Sequence, residues 1–379
     1  MRTEQRQWVP GAGWTPDTPP YLSELAQLVF VFGGSTVMKD PKHFADVRHS
    51  YPQAHIMGCS TAGEICGTTV CDDTLVTTAV EFENTDIQVA HVDIDDVGDC
   101  VRAGAQLASS LPHDQLVHVF VLSDGLKING SELVQGMLSA LPPGVAVTGG
   151  LSGDGARFER TYVCIDDIPR EGIIAALGLY GSHLKVGYGS LGGWDPFGPE
   201  RLITRSKGNV LYELDGQSAL ALYKTYLGEH AQGLPSTGLL FPLSIRTREG
   251  QSGVVRTILG VNETDQSMTF AGDMPEGAYA RLMKANFDRL IDGAHGAAQA
   301  SYEVVGSMTP DLALLISCVG RKLVLKQRIE EEVESVREVL GETAALAGFY
   351  SYGEISPFTP SAKCELHNQT MTITTFSEV

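Results

Sequence analysis

The chain has 379 residues, 43% hydrophobic and 19% charged, a composition that supports large buried cores, excludes a disordered polymer and makes two domains the expected organisation. The formal net charge of −19 repels phosphate backbones and anionic headgroups, which excludes nucleic acid and membrane surfaces as partners. No apolar stretch approaches the roughly 20 residues that span a bilayer, and the seven cysteines, an odd count, suit reduced thiols in a cytoplasmic protein.

Residues 1–26 carry Trp8, Pro10, Trp14 and Pro16 with no apolar core, and read as a flexible arm and not as a signal peptide. Residues 28–32, 55–58, 117–122 and 145–147 are largely apolar runs, broken only by His55 and His118, of the kind that form central strands covered on both faces. Each stops at a cluster of small polar residues and glycine. Between them, residues 98–111 and 131–141 place apolar side chains on one stripe and read as helices. Residues 161–165, 172–179 and 184–189 follow as short strands separated by turn residues.

Pro196 and Pro199, with several glycines, suggest a break over 194–208. Beyond it, residues 216–227 form a helical pattern, and 254–260 and 267–270 flank the hairpin signal Asn262 to Gln266. Residues 276–300 read as mainly helical, 312–318 as a buried strand and 327–340 as a charged amphipathic helix. The expected fold class is therefore α/β, with two related mixed-sheet domains and flanking helices, over 27–208 and 209–379.

One internal echo connects the two halves. Gly58, Gly63, Glu64 and Ile65 recur at the same spacing as Gly348, Gly353, Glu354 and Ile355, each set after a strand-like lead-in. Strand ends of open α/β sheets commonly hold ligands. Cys59, Ser60, Thr61 and Glu64, with Ser152 and Asp154 of the turn Gly149 to Gly155 and with Tyr352 and Glu354, are the candidate ligand contacts. A phosphate is excluded at Gly58 to Gly63, because Glu64 stands where a phosphate loop has lysine. Glu64 and Glu354 either accept from a ligand amine or brace their own loops.

No nucleophile elbow, zinc-protease helix or Ser-x-x-Lys set is present, so the chain reads as a non-enzyme. Cys59, Cys66 and Cys71 lack metal-ribbon spacing and read as inert. The Cys-x-x-Cys-His signature of covalent haem is missing as well. Non-covalent haem b would need an axial histidine, for which His230 and His367 are the candidates.

These residues resemble the FIST family of two-part sensory proteins. The resemblance rests on Gly58 to Ile65, Gly149 to Gly155, Gly187 to Trp194, Leu234 to Leu243, Gly348 to Ile355 and His367 to Thr370, and covers residues 27–379. It implies a ligand-sensing protein of signal transduction. The stretch Cys318 to Glu332 is further similar to the bacterial NosP-type branch. That similarity implies a haem-based nitric-oxide sensor acting in trans on a histidine kinase, and the other expectation is a sensor for an amino acid or similar metabolite without haem.

Overall fold

The first apolar run becomes a strand buried along its whole length, Leu28–Gly34, hydrogen-bonded on both edges. The computed structural model describes residues 1–247, 253–306, 308–358 and 362–379. A first unit holds β1 (Arg2–Val9), β2 (Leu28–Gly34), α1 (Pro41–Ser50), β3 (His55–Thr61), the short β4 (Glu64–Cys66) and β5 (Leu75–Glu81). β2 and β3 run parallel around the α1 crossover, while β5 and β1 extend the sheet antiparallel.

A second unit repeats the plan with β6 (Asp86–Asp93), α2 (Cys100–Ser109), β7 (Leu116–Ser123), α3 (Gly130–Ala140), β8 (Ala146–Leu151), β9 (Val163–Ile165) and β10 (Ile173–Tyr180). A third begins with β11 (Leu184–Leu191) and is interrupted by an insertion. The insertion comprises β12 (Trp194–Lys207), β13 (Val210–Leu214), α4 (Ala219–Leu227), β14 (Leu243–Arg246), β15 (Val254–Arg256), β16 (Ile258–Asn262), β17 (Ser267–Phe270) and β18 (Tyr279–Ala285). The third unit then resumes with α5 (Phe287–Val304), β19 (Leu312–Cys318), α6 (Val319–Leu325), α7 (Ile329–Leu340), β20 (Ala345–Ser351), β21 (Gly353–Pro357), β22 (Cys364–His367) and β23 (Met371–Glu378).

Each unit builds one sheet and lends its neighbour a strand. The sheets run β9-β3-β2-β5-β1, β22-β21-β8-β7-β10-β6 and β11-β23-β19-β20-β4, while the insertion forms a fourth sheet. The short strand after each parallel pair crosses over: β4 pairs with β20, β21 with β8 and β9 with β3. The loans close a ring of three. At the same register in each parallel pair stands a glycine, Gly58, Gly149 or Gly348. A Cβ there would lie 2.2, 1.8 and 1.8 Å from the carbonyl oxygens of Val31, Val121 and Leu315. The echo between residues 58–65 and 348–355 is thus two members of a threefold repeat, whose third member, Gly149 to Gly155, has diverged.

Both halves are mixed sheets with flanking helices, the α/β class expected. Three local expectations differ. Residues 2–9 are not a flexible arm: they pair with β5 along its length, and Glu4 and Arg6 point into the structure. The supposed break at 194–208 is the long β12, in which Pro196 keeps register with Met283 and Pro199 falls in a register shift between Phe197 and Arg201. Residues 279–285 form β18 between β12 and β14, and the helix starts only after Asn286, whose side chain caps the Arg289 amide. A boundary between 208 and 209 falls in the turn joining β12 to β13, inside the fourth sheet.

Candidate functional site

The loops at the ends of β3, β8 and β20 meet on the axis of the three units. Each donates one amide to the next: Ala62 to the Tyr350 carbonyl at 2.8 Å, Gly153 to Ser60 at 2.9 Å and Tyr352 to Leu151 at 3.2 Å. Cys59, Ser60, Thr61, Glu64, Ser152, Asp154, Tyr352 and Glu354 are all brought to this junction, and all are at most 2% exposed.

Their polar atoms are engaged by the loops themselves. Glu64 accepts from the Thr61 hydroxyl and, at 3.0 and 2.8 Å, from the Thr74 amide and hydroxyl. Glu354 accepts from Ser351 at 2.5 Å and from the Thr370 amide and hydroxyl at 3.1 and 2.9 Å. In the second unit Asp124 takes this part, accepting from the Gly172 amide at 2.9 Å. Asp154 gathers the amides of Phe158, Glu159 and Arg160 and the Tyr352 hydroxyl. Burial outweighs these bonds and raises the carboxyl pKa values of Glu64 and Glu354 to about 7 and about 8. Burial likewise pushes the Cys59 thiol far up. Of the two readings for Glu64 and Glu354, the geometry is that of loop bracing.

The haem candidates do not fit. His367 is fully enclosed, its Nε2–H donates to the Ser356 carbonyl at 2.9 Å, and its ring packs on Phe358. Burial lowers its pKa to about 4, so it is neutral and already held. His230 lies exposed on the 3₁₀ turn Gly228–Gly233, against the Phe241 ring at 5.3 Å. Neither lines the two cavities described below. The run His367 to Thr370 serves another purpose: Gln369 donates to Leu239 and Thr257 at 3.1 and 2.9 Å, and so ties the fourth sheet to the body.

Open space lies elsewhere, between the body and the fourth sheet. A cavity of about 530 Å³ is walled by α3, β14, β15, β22 and the Asp273–Pro275 turn. Asn129 caps α3 through the Ser131 amide at 3.0 Å and also donates to Asp273 at 3.0 Å. A second cavity of about 230 Å³ has Asn129 and Gly130, at the α3 N-terminus, in its wall. Polar groups converge on the larger space: Ser131, Gln135, Arg256, Asp273, Lys363 and Glu365. Arg256 is 6% exposed, and no carboxylate lies within ion-pair reach of it among the described residues. Sequence reasoning found none of these. They come one by one from separate elements, with no shared motif, and only the polar residues Ser131, Gln135 and Ser139 at helical spacing on α3 could have hinted at a wetted face.

Comparison with known proteins decides the family. The FIST N domain matches residues 27–217 and the FIST C domain residues 219–357. This chain belongs to the FIST family. FIST domains are signal-transduction sensor domains that bind small ligands. An uncharacterized protein of Methanocaldococcus jannaschii is 22% identical to this FIST protein over 321 residues, 77% of this chain and 59% of the relative, so the chain spans 59% of that relative's length. Among solved structures, a cyanuric acid hydrolase from A. caulinodans aligns over 100% of this chain and 99% of its own, with a TM-score of 0.38 and 8% identity.

That last match corrects the reading of the FIST protein as a non-enzyme. The protein aligned along its whole length is a hydrolase, and the absence of a few sequence motifs excludes no catalysis. A likeness with a TM-score of 0.38 assigns this chain no fold and no reaction. No helix among the described residues is long and apolar enough to cross a membrane.

Proposed function

We propose that this FIST protein senses a small metabolite in the cavity where α3 faces β14, β15 and β22, and that occupancy shifts the fourth sheet against the three-unit body. The observation that carries the reading is the cavity's position. Its walls come from both FIST domains, α3 from the first and β14 and β15 from the second. Its volume of about 530 Å³ lies within the range of small-molecule sites.

A ligand at such a seam can report its presence only by binding one arrangement of the two sides better than another. The seam supplies that sensitivity. Asn129 to Asp273, Arg256 to the Leu366 carbonyl and Gln369 to Thr257 all cross it. An amino acid or related metabolite suits the mixed lining of Arg256, Asp273 and Glu365. Haem and nitric oxide find no support in His230 or His367. The output is proposed to be a signalling partner, with a histidine kinase the kind implied by resemblance to the NosP-type branch.

The test is a thermal-shift screen of a metabolite library against the wild-type chain and Gln135→Trp, in which an indole fills the cavity from an exposed position on α3. A specific ligand at a hundredfold its Kd stabilises by about 2.7 kcal/mol and raises the melting temperature. The rise is expected for the wild type and not for Gln135→Trp. A rise that survives Gln135→Trp places the ligand elsewhere.

A further inference from the structure

Arg256 is a buried wall residue whose charge no carboxylate answers among the described residues. Its side chain is wedged between β15, Gly272 and the end of β22. Nη1 donates to the Leu366 carbonyl at 2.8 Å, and Nε lies 3.4 Å from the Asp273 carbonyl. Those bonds fix the plane of the guanidinium and leave Nη2 with no protein partner among the described residues. Gly272 makes the seat possible: a Cβ there would lie 2.8 Å from Arg256 Nε. A buried cation facing only carbonyl groups is costly in a fold that elsewhere matches its enclosed charges, as Arg321 does with Glu332 at 2.7 Å.

The neighbouring charges narrow what could answer it. Arg246, the other guanidinium in the wall, is held by the Glu200 carboxylate at 2.6 Å. Asp273 and Glu365 face the same space and raise the Arg256 pKa through their fields, while burial, the larger effect, lowers it to about 10, so the group stays charged at neutral pH. Asp273 and Glu365 oppose a doubly charged phosphate more than a singly charged anion, while Lys363, which lines the same space, favours an anion of either charge. A single carboxylate can accept from Nη2, the nitrogen left without a protein partner among the described residues, and leaves Asp273 to accept from a hydroxyl or amine on the same molecule.

We infer that the ligand is a small monocarboxylate anchored by the Arg256 guanidinium. This rests on the cavity being the ligand site. The decisive comparison uses the wild-type chain and therefore does not depend on any variant folding. Acetate, lactate, benzoate and L-alanine are each tested beside their own amides, with inorganic phosphate as a further probe, by thermal shift and calorimetry. At least one acid is expected to bind saturably, with its amide weaker by at least about tenfold. Arg256→Gln, checked for folding by circular dichroism, is expected to erase that difference, and Arg256→Lys to keep part of it.

Acid and amide binding alike, phosphate binding above every acid, or no acid binding at all would each overturn the carboxylate anchor. Gln135→Trp separates this from failure of the site itself. Where the wild type binds acid and amide alike and Gln135→Trp abolishes both, the cavity stands and only the carboxylate assignment falls. If binding persists in Gln135→Trp, the cavity falls with it.

Discussion

Two of the places where the FIST domains meet differ sharply in chemistry. At the three-loop junction Ser60, Thr61, Glu64, Ser152, Asp154 and Glu354 are enclosed and each is hydrogen-bonded within the chain. At the cavity Arg256 is nearly as deeply buried and meets only carbonyls, beside space for a molecule. Polar residues at strand ends can therefore serve as a weld or as a receptor, and whether each donor and acceptor has a partner within the chain tells them apart. The junction holds the units together; the cavity is where something from outside completes the set.

If that contrast is right, damage to the junction costs stability and damage to the cavity costs binding. The largest stability loss is expected for Arg321→Met, just beneath the junction. It strands Glu332, which also accepts from Tyr350 at 2.6 Å and Ser317 at 3.1 Å, and about 3–5 kcal/mol should be lost in chemical denaturation. Next come Gly58→Ala, Gly149→Ala and Gly348→Ala. Each thrusts a methyl at a backbone carbonyl and should cost about 1–3 kcal/mol. Similar losses at all three would sharpen the threefold reading; a neutral Gly149→Ala would break it.

A smaller effect should appear as pH dependence. Glu64 and Glu354 keep their protons in the folded chain at pH values where the unfolded chain has lost them. Their stabilisation is full below about 4.5, the ordinary value, and is lost as pH rises through about 7 and about 8. The variant Glu64→Gln/Glu354→Gln should flatten denaturation midpoints measured across that range. Unchanged steepness would mean that the junction carboxylates are ionised when folded. The smallest stability change, within about 0.5 kcal/mol, is expected for Gln135→Trp on the exposed face of α3, despite its loss of ligand response.

Much of the body is legible in the residues alone. The runs at 28–32, 117–122 and 312–318 form the central strands β2, β7 and β19, because a largely apolar run this short between turn residues has few other ways to be buried. The loops at Gly58, Gly149 and Gly348 are legible too, though not as one ring. β1, β12 and β18 escape the apolar pattern for separate reasons. β1 is polar at every position from Arg2 to Gln7, even at the buried Glu4 and Arg6, a bulge lets β12 carry Pro199, and the short alternation of Tyr279, Ala280, Arg281 and Leu282 is masked by the long helix that follows.

Local pattern and spacing suffice for the α/β class and for which residues gather at the strand ends, and resemblance to known proteins for the family. What those residues do is settled only when distant parts of the chain come together. Pairing β4 with β20 and β21 with β8 turns the loops inward on one another and seals them, while the fourth sheet stops short of α3 and leaves Arg256 facing open space. Burial and unmatched charge arise from contacts between segments far apart in the chain, and no local stretch of sequence records them.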